Sequence, residues 1–242
     1  MTGIDAELVR RKVLGPAGST VVLTILREGA EEPLDFSIVR ATITIASATG
    51  KMLEGNIAYF QVTTFGPNTM PELEAALNEL MPQNPKAIIL DLRNNGGGSL
   101  YDVVQMAGLF IEDGPIVQVK DREKKPSVLK DKDRGVLYTG PLAVMVNEFS
   151  ASASEIFAAA IQDYNRGVVI GSTSTYGKGT VQRNIGLDPE NGYSMSNSDL
   201  GTVKLTLQKF YRINGGSTQL KGVSSDIVLP DNLEYLKVRE KD

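Results

Sequence analysis

The chain has 242 residues, 41% hydrophobic and 22% charged, with a formal net charge of −4, which describes an ordinary soluble globular protein with one main domain and no basic surface for nucleic acid. It contains no histidine and no cysteine, which excludes a Ser-His-Asp triad within the chain, a thiol nucleophile, a disulfide framework and a thiolate metal site. No apolar run approaches the ~20 residues that cross a bilayer, and Met1-Thr-Gly-Ile-Asp-Ala-Glu7 has no signal-peptide pattern, so neither membrane insertion nor targeting is expected of the chain as it stands.

Asp5 to Leu14 reads as a short amphipathic helix, followed by the tight turn Gly15-Pro16-Ala17-Gly18 and a hairpin opening with the strand Val21 to Arg27. A helix and two strands cannot bury a core alone, so this segment is expected either to dock on the rest of the chain or to lack its partner elements. From Asn56 onward strands alternate with helices, the pattern of an α/β core with covered sheet faces. Ile57 to Thr63 is a strand. Met70 to Met81 is a helix with Leu73, Leu77 and Leu80 on one face, opened by the capping-box pattern Thr69-x-x-Glu72. Lys86 to Leu92, with the run Ala87-Ile-Ile-Leu90, is a strand buried on both faces. After Arg93-Asn-Asn-Gly-Gly-Gly98 come a helix from Leu100 to Ile111 and a strand from Ile116 to Val119. The charge-dense segment 120–134 reads as a solvated loop or hairpin. A further unit comes next, with strand Leu142 to Val146, helix Ala153 to Asp163 and strand Gly167 to Gly171. Later strands are expected at Val203 to Lys209 and at Tyr211 to Ile213, before the turn Gly215-Gly216.

Two loops sit past the ends of buried strands, the glycine triplet 96–98 and the cluster Ser150-Ala-Ser-Ala-Ser154. In parallel α/β sheets sites gather at the carboxyl ends of strands, where helix N-termini offer free N–H groups, so both loops are candidate anion or oxyanion sites. The third element is Thr175-Tyr-Gly-Lys-Gly-Thr-Val-Gln182, a lysine between glycines that enters a strand. With no histidine or cysteine, the base of any acyl-transfer enzyme here must be Lys, Asp, Glu or an N-terminal amine. A free amine titrates near ~10.4 and is a poor base at neutral pH, but burial disfavours its charged form. Close backbone packing allowed by the two glycines is expected to keep the amine short of water. Each piece alone has a structural explanation: Ser152-x-x-Glu155 is a helix capping box, the glycines form a strand-to-helix turn, Lys178 is a surface turn residue and Gln182 a solvent-facing strand residue. Their joint occurrence makes catalysis competitive with those explanations.

Taken together, the strings Asp91-Leu-Arg-Asn-Asn-Gly-Gly-Gly98, Ser150-Ala-Ser-Ala-Ser-Glu-Ile-Phe157, Gln162-Asp163, Gly177-Lys-Gly-Thr-Val-Gln182, Gln208-Lys-Phe-Tyr-Arg212 and Asn214-Gly-Gly-Ser-Thr218 resemble the C-terminal processing peptidases, whose bacterial members include the tail-specific protease. The similarity runs from about Gly15 to Tyr235. It implies a serine/lysine-dyad peptidase in which Ser152 is the nucleophile, Lys178 the general base and Gln182 the residue that orients the lysine, with the N–H groups of Gly98 and Ala153 forming the oxyanion hole. It implies no cofactor and no metal. Lys178 lies one position farther from Ser152 than in the family's usual spacing, which places an extra residue in Ser172-Thr-Ser174; were Ser150 or Ser154 the nucleophile, the spacing would change.

The fold implied is a crotonase-like, Clp-peptidase-like β/α superhelical core over residues 41–242, with residues 1–40 the C-terminal remnant of a PDZ-like domain. By the same resemblance the chain reads as a fragment of a periplasmic or secreted protein that cleaves exported or misfolded polypeptides recognised at their C-termini. A homo-oligomer or an adaptor protein stays open as a partner. Two other functions also stay open: an inactive fragment or peptide-binding scaffold on the same fold, and a crotonase relative that processes acyl-CoA, which shares the oxyanion logic but has no need of the Gly-Lys-Gly turn.

Overall fold

A computed structural model of the chain describes residues 5–123, 125–132, 135–187 and 200–242. The fold is mixed α/β and divides into two units, Met1–Ile45 and Ala46–Asp242. The first holds helix α1 (Ala6–Val13) and the antiparallel strands β1 (Thr20–Ile25) and β2 (Leu34–Val39). Asp5 caps the helix by accepting from the Glu7 N–H at 2.8 Å, while Arg10, Arg11 and Lys12 in the last turn complement the helix dipole. The Arg40 guanidinium then ties the end of the helix to the hairpin, donating to the Val13 carbonyl at 2.7 Å and to Ser19 Oγ at 2.8 Å. None of residues 5–45 is buried; as expected of a helix and two strands, the unit brings no core of its own.

The second unit runs β3 (Ala48–Leu53), β4 (Ile57–Val62), α2 (Thr69–Leu80), β5 (Ala87–Asp91), α3 (Leu100–Gly108), β6 (Pro115–Lys120), β7 (Pro126–Lys130), β8 (Leu142–Val146), α4 (Ala153–Asp163), β9 (Val168–Gly171), β10 (Thr180–Gly186), β11 (Thr202–Tyr211) and β12 (Ile227–Val228). Six of these strands form one sheet in the order β12-β9-β8-β5-β4-β3, parallel throughout except for the antiparallel edge strand β3. A second, antiparallel sheet has the order β10-β11-β6-β7. No helix among the described residues is long and apolar enough to cross a membrane.

The core follows from the patterning. In β5 and β8 the residues Ile88, Leu90, Leu142, Val144 and Val146 are buried on one face of the sheet, while Ile89, Ala143 and Met145 on the opposite face are only half-buried, so the expected burial on both faces is met fully on one side and partly on the other. Helix α4 is buried at every residue from Ala153 to Ile161, and only its last two residues are half-exposed. Three consecutive alanines, 158–160, let it lie close to its neighbours, and Phe157 packs edge-on against Phe110 with ring centroids 5.9 Å apart. Burying such a ring contributes roughly 1.5–3 kcal/mol.

Two local expectations are revised, and one strand is unforeseen. The capping box at Thr69 does not form: Asn68 is the N-cap residue and makes no side-chain cap. Glu72 instead accepts from Ser47 Oγ and from the Ser47 and Ala48 N–H groups at 2.7, 2.7 and 3.0 Å, an arrangement that holds its carboxyl below the ordinary carboxylate range. Strand β3 has no signature in the sequence, because Thr49-Gly-Lys51 is exposed and carries no alternation; pairing with β4 makes it a strand. The two late strands are one, β11, and Arg212 opens the turn after it, accepting from the Gly215 N–H. The charged segment 120–134 supplies β7, which pairs antiparallel with β6, with Lys124, Asp133 and Arg134 outside the described residues.

Candidate active site

Strands β5, β8 and β9 are sheet neighbours and parallel, so the loops 92–99, 147–152 and 172–179 leave the same edge side by side. Asn95, fully buried, joins the first two. Its Nδ2 donates to the Val62 carbonyl at 2.8 Å and its Oδ1 accepts from the Gly97 N–H at 2.9 Å. Its carbonyl accepts from the Ala151 N–H at 3.0 Å and from Ser154 Oγ at 2.8 Å. Asn147 adds a second tie: Oδ1 accepts from the Asn94 N–H at 2.9 Å while Nδ2 donates to Asn94 Oδ1 at 2.8 Å.

The glycine loop consequently lies against Ser152. At Gly97 (φ +102°) a Cβ would stand 2.7 Å from the Ala151 carbonyl oxygen and 2.8 Å from Ser152 Cβ; at Gly98 (φ +148°) it would collide with the Phe65 carbonyl. Only glycine permits both the backbone angles and the approach. Among the described residues neither the Gly98 nor the Ala153 N–H has a hydrogen-bond partner, the latter being one of the free donors of the α4 N-terminus.

The three serines of the cluster differ. Ser150 and Ser154 are fully buried, and each hydroxyl is committed to a backbone carbonyl, Ser150 Oγ donating to Leu92 and Ser154 Oγ to Asn95, both at 2.8 Å. Ser152 is half-buried and sits at φ 57°, ψ −109°, a conformation that costs a non-glycine residue of order 1–3 kcal/mol and that clusters at functional sites.

Glu155, fully buried, holds the third loop to the second. Its Oε2 accepts from the backbone N–H of Ser152 at 2.8 Å and from that of Lys178 at 2.9 Å. One oxygen therefore keeps the two backbone nitrogens no farther apart than the sum of those distances. Oε1 accepts from Thr175 Oγ1 and from the Gly177 N–H, both at 2.7 Å. Burial pushes this carboxyl up to about 7, while the hydrogen bonds from Thr175, Ser152, Gly177 and Lys178 pull it down.

Lys178 is half-buried, and its Nζ donates to Gln182 Oε1 at 3.5 Å on the exposed side. The flanking glycines do not wrap the amine, contrary to the expectation from their position in the sequence. They admit the 218–222 segment instead: a Cβ on Gly179 would stand 2.8 Å from Gln219 Cβ, and one on Gly177 3.2 Å from the Leu220 carbonyl carbon. Ser152, Lys178, Gln182, Gly98 and Ala153 all line one cleft of about 380 Å3, whose apolar wall is Leu100, Ile156, Val181 and Phe210. The family resemblance groups these five residues, and the structure brings all five to this cleft.

Residues 56–229 match the model of peptidase family S41. The chain belongs to peptidase family S41. The tail-specific protease of Haemophilus influenzae is 43% identical over 239 residues, which are 97% of this chain and 34% of that protein. The carboxy-terminal processing protease CtpA of Bacillus subtilis is 37% identical over 240 residues, 97% of this chain and 48% of that one. The solved photosystem II D1 C-terminal processing protease is similar with a TM-score of 0.66 at 28% identity, covering 90% of this chain and 57% of its own. The chain thus spans 34% to 48% of the length of these two curated relatives.

Sequence reasoning passes over the residues that hold this S41 cleft in shape. Asn95 is visible only as part of a turn-forming Asn-Asn-Gly run, and Glu155 only as the partner in a capping box. Thr175, whose hydroxyl donates to Glu155 and accepts from the Val223 N–H at 2.7 Å, gives no signal.

Glu155 makes the stability of the S41 unit depend on pH with a definite sign. The unfolded carboxyl titrates near 4.5 and the folded one near 7, so between those values the folded state carries the extra proton and stability falls as pH rises. A shift of this size corresponds to about 3 kcal/mol. Denaturant melts from pH 4.5 to 7 are expected to show this loss in the wild type and not in Glu155→Gln. Parallel curves for the two proteins would contradict the assignment.

Proposed function

We propose that this S41 chain carries the catalytic core of a serine endopeptidase in which Ser152 attacks a peptide carbonyl and neutral Lys178 takes the hydroxyl proton. Gln182 orients the lysine. The N–H groups of Gly98 and Ala153 receive the oxyanion of the tetrahedral intermediate, and protonated Lys178 returns its proton to the leaving amine. Water then releases the acyl-enzyme by the same route. A polypeptide laid along the cleft completes the exclusion of water that the half-buried amine lacks by itself.

The observation that carries this proposal is the sharing of Glu155 Oε2 by the backbone N–H groups of Ser152 and Lys178, with both side chains on one cleft beside the Gly98 and Ala153 N–H groups, which have no partner among the described residues. The core we assign to the crotonase-like, Clp-peptidase-like superhelical fold, and residues 1–40 to the end of a PDZ-like domain that captures substrate C-termini. The names of the relatives point to C-terminal processing as the activity; we place the whole protein among periplasmic or secreted enzymes acting on exported polypeptides.

The test is a fluorophosphonate probe that reacts only with activated hydroxyls. Peptide mapping of the treated chain is expected to find the adduct on Ser152, with Ser150 and Ser154 unmodified. Absence of any adduct, in a chain whose melt shows it folded, would remove the nucleophile.

A further inference from the structure

A segment far along the chain grips both catalytic loops. Arg239 is 7% exposed and pairs with Glu148, which is fully buried. Its Nη2 donates to Glu148 Oε1 and to Thr173 Oγ1, each at 3.1 Å, and its Nε donates to the Ser174 carbonyl at 3.3 Å. Glu148 lies four positions before Ser152; Thr173 and Ser174 lie five and four before Lys178. One guanidinium therefore bridges the approach to the serine and the approach to the lysine. The next residue extends the grip, since the Glu240 N–H donates to the Tyr176 carbonyl at 2.9 Å and Glu240 Oε1 accepts from Gln219 Nε2 at 3.1 Å.

Stability alone is a poor reason for this arrangement. A buried ion pair adds little over well-packed apolar residues, and Glu148 Oε2 is left with no partner among the described residues. What the guanidinium supplies is direction: a rigid planar fork whose donors fix the relative positions of three acceptors. Two of those acceptors lie in Ser172-Thr-Ser174, where the family resemblance places one extra residue. A longer loop has more freedom to lose before Lys178 is in place.

We propose that Arg239 is a positioning residue, fixing the lysine loop against the serine loop upstream of the contacts made by Glu155. The catalytic consequence rests on the peptidase proposal above; the ordering of the loop does not.

The experiment uses the whole chain with two changes. Arg239→Gln combined with Glu148→Gln removes the clasp without stranding a buried charge, and Arg239→Lys keeps the charge while losing the fork. Turnover of an unfolded polypeptide is measured per fluorophosphonate-titrated site, so that misfolded molecules do not count. The double variant is expected to lose about tenfold in kcat with KM changed by less than about twofold, and Arg239→Lys to recover part of the loss. Amide hydrogen exchange over residues 175–178 is expected to quicken about tenfold while β5 and β8 keep wild-type protection. Wild-type kcat per titrated site, or exchange that quickens uniformly across the unit, would reduce Arg239 to a structural residue. If the wild-type chain neither labels nor turns over, the peptidase proposal fails by itself and the exchange measurement alone decides the clasp.

Discussion

Ser152→Ala is expected to lower turnover of an unfolded polypeptide by on the order of 10⁵- to 10⁶-fold, and Lys178→Ala by a comparable factor, because a nucleophile and its base act as one unit. The double variant should be scarcely worse than either single one. Lys178→Arg separates two roles for the cation. It keeps a positive charge beside the serine, yet arginine cannot give up its proton in a protein, so a base would be lost where an electrostatic anchor would be kept. Activity of Lys178→Arg near that of the wild type would therefore overturn the proton-transfer role, and activity surviving in Ser152→Ala would overturn the nucleophile. Lys178→Ala should leave the thermal melt nearly unchanged and Ser152→Ala should cost no more than the ~1 kcal/mol of a lost N-cap at α4: both side chains are half-buried on an open cleft, and the hydrogen bonds that fix their backbones come from Glu155.

Glu155→Ala is expected to damage both fold and activity. It leaves the Ser152, Gly177 and Lys178 N–H groups and the Thr175 hydroxyl without their acceptor. A buried donor left unpaired costs about 1–3 kcal/mol, and water entering the vacated space recovers part of the total, so a loss near ~3 kcal/mol in unfolding free energy is anticipated. Turnover should fall by ~10²-fold even in the molecules that stay folded, since the serine and lysine loops lose their shared anchor. Glu155→Gln is the informative control. Its amide oxygen still accepts at one end while its NH₂ faces two donors at the other, so it should lie between wild type and alanine in both respects. An alanine variant as active per titrated site as the wild type would show that the loops hold their register without Glu155.

Much of the S41 core is legible from local pattern. Strand β8 and helix α4 lie within the bounds read from the sequence, Leu142 to Val146 and Ala153 to Asp163, because short apolar segments separated by a small-residue loop mark buried elements without help from distant partners. The failure at Thr69 has a tertiary cause. Thr69 and Glu72 spell a capping box, but Glu72 finds better donors in Ser47 and Ala48, which lie outside the helix and far back along the chain.

The sequence by itself determined the range of chemistry. Lacking histidine and cysteine, the chain could activate a hydroxyl only with an amine or a carboxylate, and the motifs around Ser152 and Lys178 carried the family resemblance. The resemblance singled out Ser152, but only the tertiary structure showed why Ser150 and Ser154 do not open on the cleft: their hydroxyls meet carbonyls 58 and 59 positions away. It likewise decided that Glu155 braces a loop 23 positions on and that Arg239 reaches back 91 positions to Glu148. It also showed that the glycines beside Lys178 make room for a neighbouring segment instead of sealing its amine. Periodicity records which face of an element is buried; partners brought together by the winding of a parallel sheet leave no mark at that range.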